Sequence, residues 1–111
     1  MITYIELWKA TAAWTALGTE ERGAYMTALG PAIQGLMEKG VQVVSWGANE
    51  ATTAHKADYD FFAVWTFPNE ETAKDFENMV EGAGWYTYFE QVNLMGKAQG
   101  PQEIIGQLIG L

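Results

Sequence analysis

Glu6 is the residue of this chain hardest to explain by folding alone. In MITYIELWK (residues 1–9), Tyr4, Glu6 and Trp8 alternate with Thr3, Ile5 and Leu7, so a strand would seat the carboxylate between two aromatic rings. Two placements are open to it. Enclosed in a cavity, its pKa rises by desolvation and it can carry a proton or hydrogen-bond a ligand. Near a strand end it reaches solvent, or pairs with Lys9 or with a lysine of another chain. Rings that could orient a ligand beside it are those of Tyr4, Trp8, Phe61, Trp65, Phe67 and Tyr88; indole and phenol combine a flat apolar face with one polar hydrogen. His55, the single histidine, lies in the polar stretch GANEATTAHKAD (residues 47–58). It is a candidate base or ligand contact over the pocket mouth, set against a plain solvated loop histidine. Glu90, Gln91 and Asn93 add polar groups close to aromatics.

Other chemistries are closed off by what the 111 residues lack. There is no cysteine, hence no thiolate nucleophile or disulfide, and one histidine without thiolates does not make a zinc site. Ser45 is the only serine and falls within a strand, so no serine-centred triad forms. The twelve glycines are scattered, with no GxGxxG after a strand. No metal and no cofactor is therefore expected. Six Lys+Arg against fourteen Asp+Glu give a net charge of −8, which repels nucleic acid and anionic lipid surfaces. No apolar run approaches the roughly 20 residues of a membrane helix, and the N-terminus lacks a signal-peptide layout. The expectation is a soluble cytoplasmic protein folded as one domain over residues 1–111.

The elements that must position these residues follow from periodicity. Residues 1–9 read as a strand. Thr19 is the expected N-cap of a helix whose buried stripe is Met26, Leu29, Ile33, Leu36 and Met37, with Gly40 at its end and a kink or break expected at Pro31. Val41–Trp46 reads as a strand. Tyr59–Phe67 is another, with Tyr59, Phe61, Ala63, Trp65 and Phe67 on one face and Asp60, Phe62, Val64 and Thr66 on the other. Pro68 stops it, and Asn69 caps a helix that buries Ala73, Phe76, Met79 and Val80. Two assignments of the remainder compete. Helix over 85–95 with strand over 103–110 is preferred, because Trp85, Tyr88, Phe89, Val92 and Met95 keep helical spacing and two glycines weaken a C-terminal helix by about 1 kcal/mol each. The reverse also fits, since Pro101 and Glu103 can open a helix.

Either way the order is strand, helix, strand, strand, helix, strand: the ferredoxin-like α+β arrangement, one four-stranded antiparallel sheet with both helices on one side. The opposite sheet face should then be polar. Here Thr3, Ile5, Leu7, Phe62 and Val64 make it apolar. Left bare, it would exceed the roughly 300–600 Å² apolar patch of an ordinary monomer. A second copy of the chain is the simplest cover; the alternative is the C-terminal segment folding back.

ELWK in the first strand, FFAVWTFPNEE from third strand into helix, and the aromatic GWYTYFEQVN resemble the dimeric α+β barrel superfamily across the whole chain, most closely a small bacterial family without assigned activity. That superfamily includes antibiotic-biosynthesis monooxygenases, haem-degrading monooxygenases and stress-responsive barrels. The resemblance implies a homodimer closed through the sheets, with ligands held between sheet and helices. Trp65 matches a pocket tryptophan of the haem-degrading relatives. Their histidine ligand and first-strand asparagine have no counterpart in residues 85–95 or 2–9, so haem degradation is not expected.

Three functions remain. The first is a homodimer with an apolar, aromatic-lined pocket per subunit for a small hydrophobic molecule, a lipid-like acid or an aromatic. The second is a cofactor-independent monooxygenase or isomerase acting on such a molecule, with Glu6 as acid/base. The third is a structural or stress-related dimer without a pocket.

Overall fold

The computed structural model describes residues 1–111. The elements are β1 (Ile2–Ala10), α1 (Ala12–Thr15), α2 (Thr19–Glu38), β2 (Gln42–Ala48), β3 (Phe61–Phe67), α3 (Glu70–Gly82), α4 (Trp85–Tyr88), β4 (Phe89–Lys97) and α5 (Pro101–Ile109). The strands form one antiparallel sheet in the order β2-β3-β1-β4, the ferredoxin-like α+β fold. Register sorts the side chains cleanly. Tyr4 faces Trp65 and Met95 across the ladder, and Glu6 faces Ala63 and Asn93. On the reverse face Ile5 pairs with Val64 and Leu94, and Leu7 with Phe62 and Val92. The core lies on the first of these faces, where Ile2, Tyr4, Trp8, Trp65 and Phe67 are buried with Phe76 and Val80 of α3.

α3 begins as its sequence dictates. The Asn69 side chain accepts from the backbone N–H of Thr72 at 2.9 Å, and Glu70 and Glu71 occupy the first turn, satisfying an orphan donor and the helix dipole together. α2 departs from expectation at its N-cap. Gly18, not Thr19, is its N-cap, with the Glu21 carboxylate accepting from the Gly18 N–H at 3.2 Å. The helix also passes Pro31 unbroken. The carbonyl that Pro31 leaves without a donor belongs to Thr27 on an exposed stretch, where water can satisfy it. Gly40 takes the left-handed conformation (φ 98°) that ends the helix.

The preferred assignment of residues 85–110 is overturned. Only Trp85–Tyr88 is helical, Phe89–Lys97 is the strand, and Pro101–Ile109 is a helix. The helical spacing of aromatics in 85–95 is outweighed by pairing: β4 covers the free edge of β1 along a ladder from Ile2↔Lys97 to Ala10↔Phe89, where nine residues would otherwise present unpaired backbone. In α5, Pro101 occupies the first turn, where its missing N–H costs nothing. Every residue of α5 is exposed, including Ile105, Leu108 and Ile109. The radius of gyration, 16.1 Å, accordingly exceeds the roughly 13 Å of a compact chain of this length. No helix is long and apolar enough to cross a membrane.

Candidate functional site

α2 does not close onto the sheet. Of its expected stripe only Leu36 is buried; Leu29 and Ile33 are half-buried, and Met26 and Met37 are exposed. The Tyr25 hydroxyl donates to the Ala83 carbonyl at 2.7 Å and ties α2 to the end of α3. Beneath α2 lies a cavity of about 380 Å³ lined by twelve residues, eleven of them hydrophobic. The sheet contributes Glu6, Trp8, Trp46 and Trp65; α2 contributes Met26, Leu29 and Ile33; α3 contributes Phe76, Met79 and Val80; and Ala83 and Trp85 complete the wall. A volume of this size admits a molecule of one or two rings.

Glu6 is the cavity's one ionisable group, and only 5% of it is exposed. One carboxylate oxygen accepts from the Trp65 indole N–H and the other from the Gln91 amide, both at 2.7 Å. Gln91 is oriented in turn by the Trp85 indole, which donates to its carbonyl oxygen at 2.7 Å, and by its own donation to Asn93 Oδ1 at 2.8 Å. Local folding sets this chain of bonds. Gly84 takes a left-handed conformation (φ 73°) that starts the single turn of α4 and aims Trp85 inward, while β4 brings Gln91 opposite Trp8 on the cavity face.

Burial raises the Glu6 carboxyl above its ordinary range, and the hydrogen bonds from Trp65 and Gln91 only partly oppose this. The sign for stability follows. Between the unfolded and folded pKa values the native state binds the extra proton, so stability falls as pH rises through that window and levels off above it. Relative to Glu6→Gln, which cannot titrate, the wild-type chain is expected to lose stability as pH rises above the ordinary carboxylate range, with a limiting slope of about 1.4 kcal/mol per pH unit. Urea midpoints measured along that rise check this; parallel profiles for the two chains would mean that Glu6 titrates as it does in water. Tyr4 is raised as well, first by burial and then by donating to Glu77 at 2.9 Å.

The structure brings Glu6, Trp8 and Trp65 together at the cavity and places the other sequence-derived candidates elsewhere. Tyr4 and Phe67 lie in the filled core against Phe76. Phe61 stacks on Trp8, with ring centres 5.9 Å apart, and Tyr88 joins Trp14 and Tyr25 in an aromatic cluster behind the cavity wall, linked to Trp85 through Phe89. His55 is exposed on the loop between β2 and β3. Lys9 pairs with Asp58 at 2.9 Å and Glu90 at 3.8 Å rather than with Glu6. Sequence reasoning missed Trp46 and Trp85 as wall residues. The available signal was strand parity for Trp46, which pairs with Ala63 beside Trp65; Trp85 gave none before the strand assignment of β4 was known.

The fold recurs in solved structures at low identity. A chlorite dismutase variant from Candidatus Nitrospira defluvii matches at 18% identity with a TM-score of 0.74, over 96% of this chain and 43% of that one. The present chain thus spans less than half the length of that relative. A dimeric ferredoxin-like protein of unknown function from Thermobifida fusca matches at 16% identity (TM-score 0.54), covering 87% of this chain and 90% of that one. An Arabidopsis thaliana protein matches at 11% identity (TM-score 0.61), covering 90% and 97%. No curated protein matches the sequence. These likenesses agree with the resemblance to dimeric α+β barrels in fold. A family model described as a family of unknown function (DUF6616) matches residues 1–111, and the chain belongs to that family.

Proposed function

We propose that this chain is a single-domain, homodimeric small-molecule-binding protein that holds an apolar, aromatic-compatible ligand in the cavity of each subunit. The observation that carries this reading is a cavity of about 380 Å³ whose walls are hydrophobic except for one buried carboxyl group. Such a lining removes a ligand's apolar surface from water and leaves a single polar group to orient it. A volume left open beneath α2 also favours this reading over a pocket-free structural dimer. The carboxyl disfavours the acid among the two ligand types expected from sequence, since like charges would meet in a dry site.

Assembly through the sheet is supported by the reverse face. Thr3, Ile5, Leu7, Phe62, Val64, Thr66, Val92 and Leu94 share it, and its charged members, Lys9 and Glu90, are paired with each other at one end. Depletion of charge is what interface cores display. The chain exposes 7332 Å², against about 6,100 Å² for a monomer of this mass. That surplus exceeds the roughly 800 Å² per partner of a standard interface. The Thermobifida fusca neighbour is itself described as dimeric.

Native mass spectrometry of purified protein, with organic extraction, tests the reading. An extractable apolar molecule bound to the dimer is the expected result. Bare protein that also fails to take up both a neutral two-ring probe, 2-naphthol, and a cationic one-ring probe, phenyltrimethylammonium, would overturn it.

A second reading makes the same site catalytic, as a cofactor-independent isomerase or monooxygenase. The raised Glu6 carboxyl favours it, because an acid or base works best with a pKa near ambient pH. An isomerase would pass a carbon-bound proton through Glu6 and return it at another carbon; a monooxygenase would take that proton onto Glu6 and let the substrate carbanion itself reduce dioxygen, a CH2 group becoming C=O with one oxygen atom while the other leaves as water. Glu6→Gln should then abolish turnover while ligand uptake persists.

A further inference from the structure

We propose that the cavity selects an organic cation, an ammonium group on an apolar or aromatic body, received by four indole rings and the Glu6 carboxylate. The proposal rests on the small-molecule reading above and specifies the ligand's charge. Four of the chain's five tryptophans line this one cavity. They follow one another around its wall as nearly perpendicular panels. Trp85 and Trp8 stand 6.0 Å apart at 69°, Trp8 and Trp46 5.6 Å apart at 69°, and Trp46 and Trp65 5.8 Å apart at 76°. An indole face is the strongest of the aromatic faces for a cation, and a box of such rings is how quaternary ammonium groups are recognised.

Glu6 supplies the second half of the argument. The chain's ion pairs join Lys9 to Asp58 and Glu90, Lys39 to Asp75, and Lys74 to Glu77; none reaches Glu6. Its polar contacts are the N–H donors of Trp65 and Gln91. That pattern accommodates a carboxylate and offers no acceptor to the hydrogen of a carboxylic acid. A buried carboxylate without a countercharge is nonetheless costly. An entering cation removes the conflict, whereas an anionic ligand would double the like charge and a neutral one would leave it uncompensated in a drier site. The net charge of −8 draws cations toward the mouth, where Trp46 is half-exposed on the edge strand β2.

The decisive comparison is phenyltrimethylammonium against tert-butylbenzene, which has the same shape without the charge. Binding is read from quenching of tryptophan fluorescence. The cation is expected to bind at least about tenfold more tightly to the wild-type chain, and Glu6→Gln should remove most of that preference. Trp46→Leu, at a half-exposed position where leucine keeps an apolar wall but removes the indole face, should weaken the cation by a larger factor than the hydrocarbon. Equal or tighter binding of tert-butylbenzene would overturn the cation assignment and leave the small-molecule reading standing. Binding of neither probe would overturn both.

Discussion

Trp65→Ala is expected to remove about 3–5 kcal/mol of stability, a large share of the roughly 5–15 kcal/mol that a domain possesses. Trp65 is 2% exposed on the core face of β3. Its ring lies 5.0 Å from that of Phe76 and 5.8 Å from that of Trp46, centre to centre, so truncation joins an existing cavity to a new one. The same change takes from Glu6 one of its two hydrogen-bond donors, leaving a buried oxygen unpaired at about 1–3 kcal/mol. Trp65→Phe separates these contributions. It retains most of the packing and loses the N–H, and should cost about 1–3 kcal/mol. Urea unfolding followed by far-ultraviolet circular dichroism measures both. A Trp65→Ala chain as stable as wild type would show that the aromatic wall is not part of the folding core.

Val64→Glu is expected to split the proposed dimer. Val64 lies mid-strand on the reverse face, opposite Ile5 on β1 and Ser45 on β2. In a two-fold interface each substitution acts twice. Two carboxylates would be buried without partners, each costing several kcal/mol. The dimer should weaken by at least about a hundredfold, equivalent to about 2.8 kcal/mol. Because the side chain at position 64 is only half-buried within one chain, the subunit itself should keep its fold. Sedimentation should therefore give a folded 12.3 kDa species for the variant and twice that mass for wild type. Unchanged sedimentation of the variant would place assembly, if any, on another surface.

The parts of the fold legible in sequence were those where one force acted alone. Strict alternation in IELW and FFAVWTF gave the faces of β1 and β3, and Pro68-Asn69-Glu70-Glu71 marked the start of α3 to the residue. Residues 85–110 were misread because two signals conflicted. Aromatics at helical spacing argued for a local helix, while the need of β1 for a second neighbour, invisible to any local window, required a strand. The site followed the same division. Glu6 stood out because a carboxylate interrupts an apolar strand face, and its burial resolved the two placements in favour of the enclosed one. Its partner Gln91 could not be assigned until the direction of β4 was known. The cavity's place between sheet and helices came from the resemblance and not from the residue pattern, because Met26, Leu29 and Ile33 read as core on α2 whether or not the helix touches the sheet.

α5 carries one more consequence. A nine-residue helix is too short to persist in water by itself, and this one has Ile105, Leu108 and Ile109 in solvent with Gly106 in its middle. Contact with another molecule would supply the order that such a helix lacks alone. If subunits associate, the tail becomes a dilution gauge: amide protons of residues 101–109 should exchange rapidly at nanomolar protein and slow as concentration rises, while those of β1 and β3 stay protected throughout.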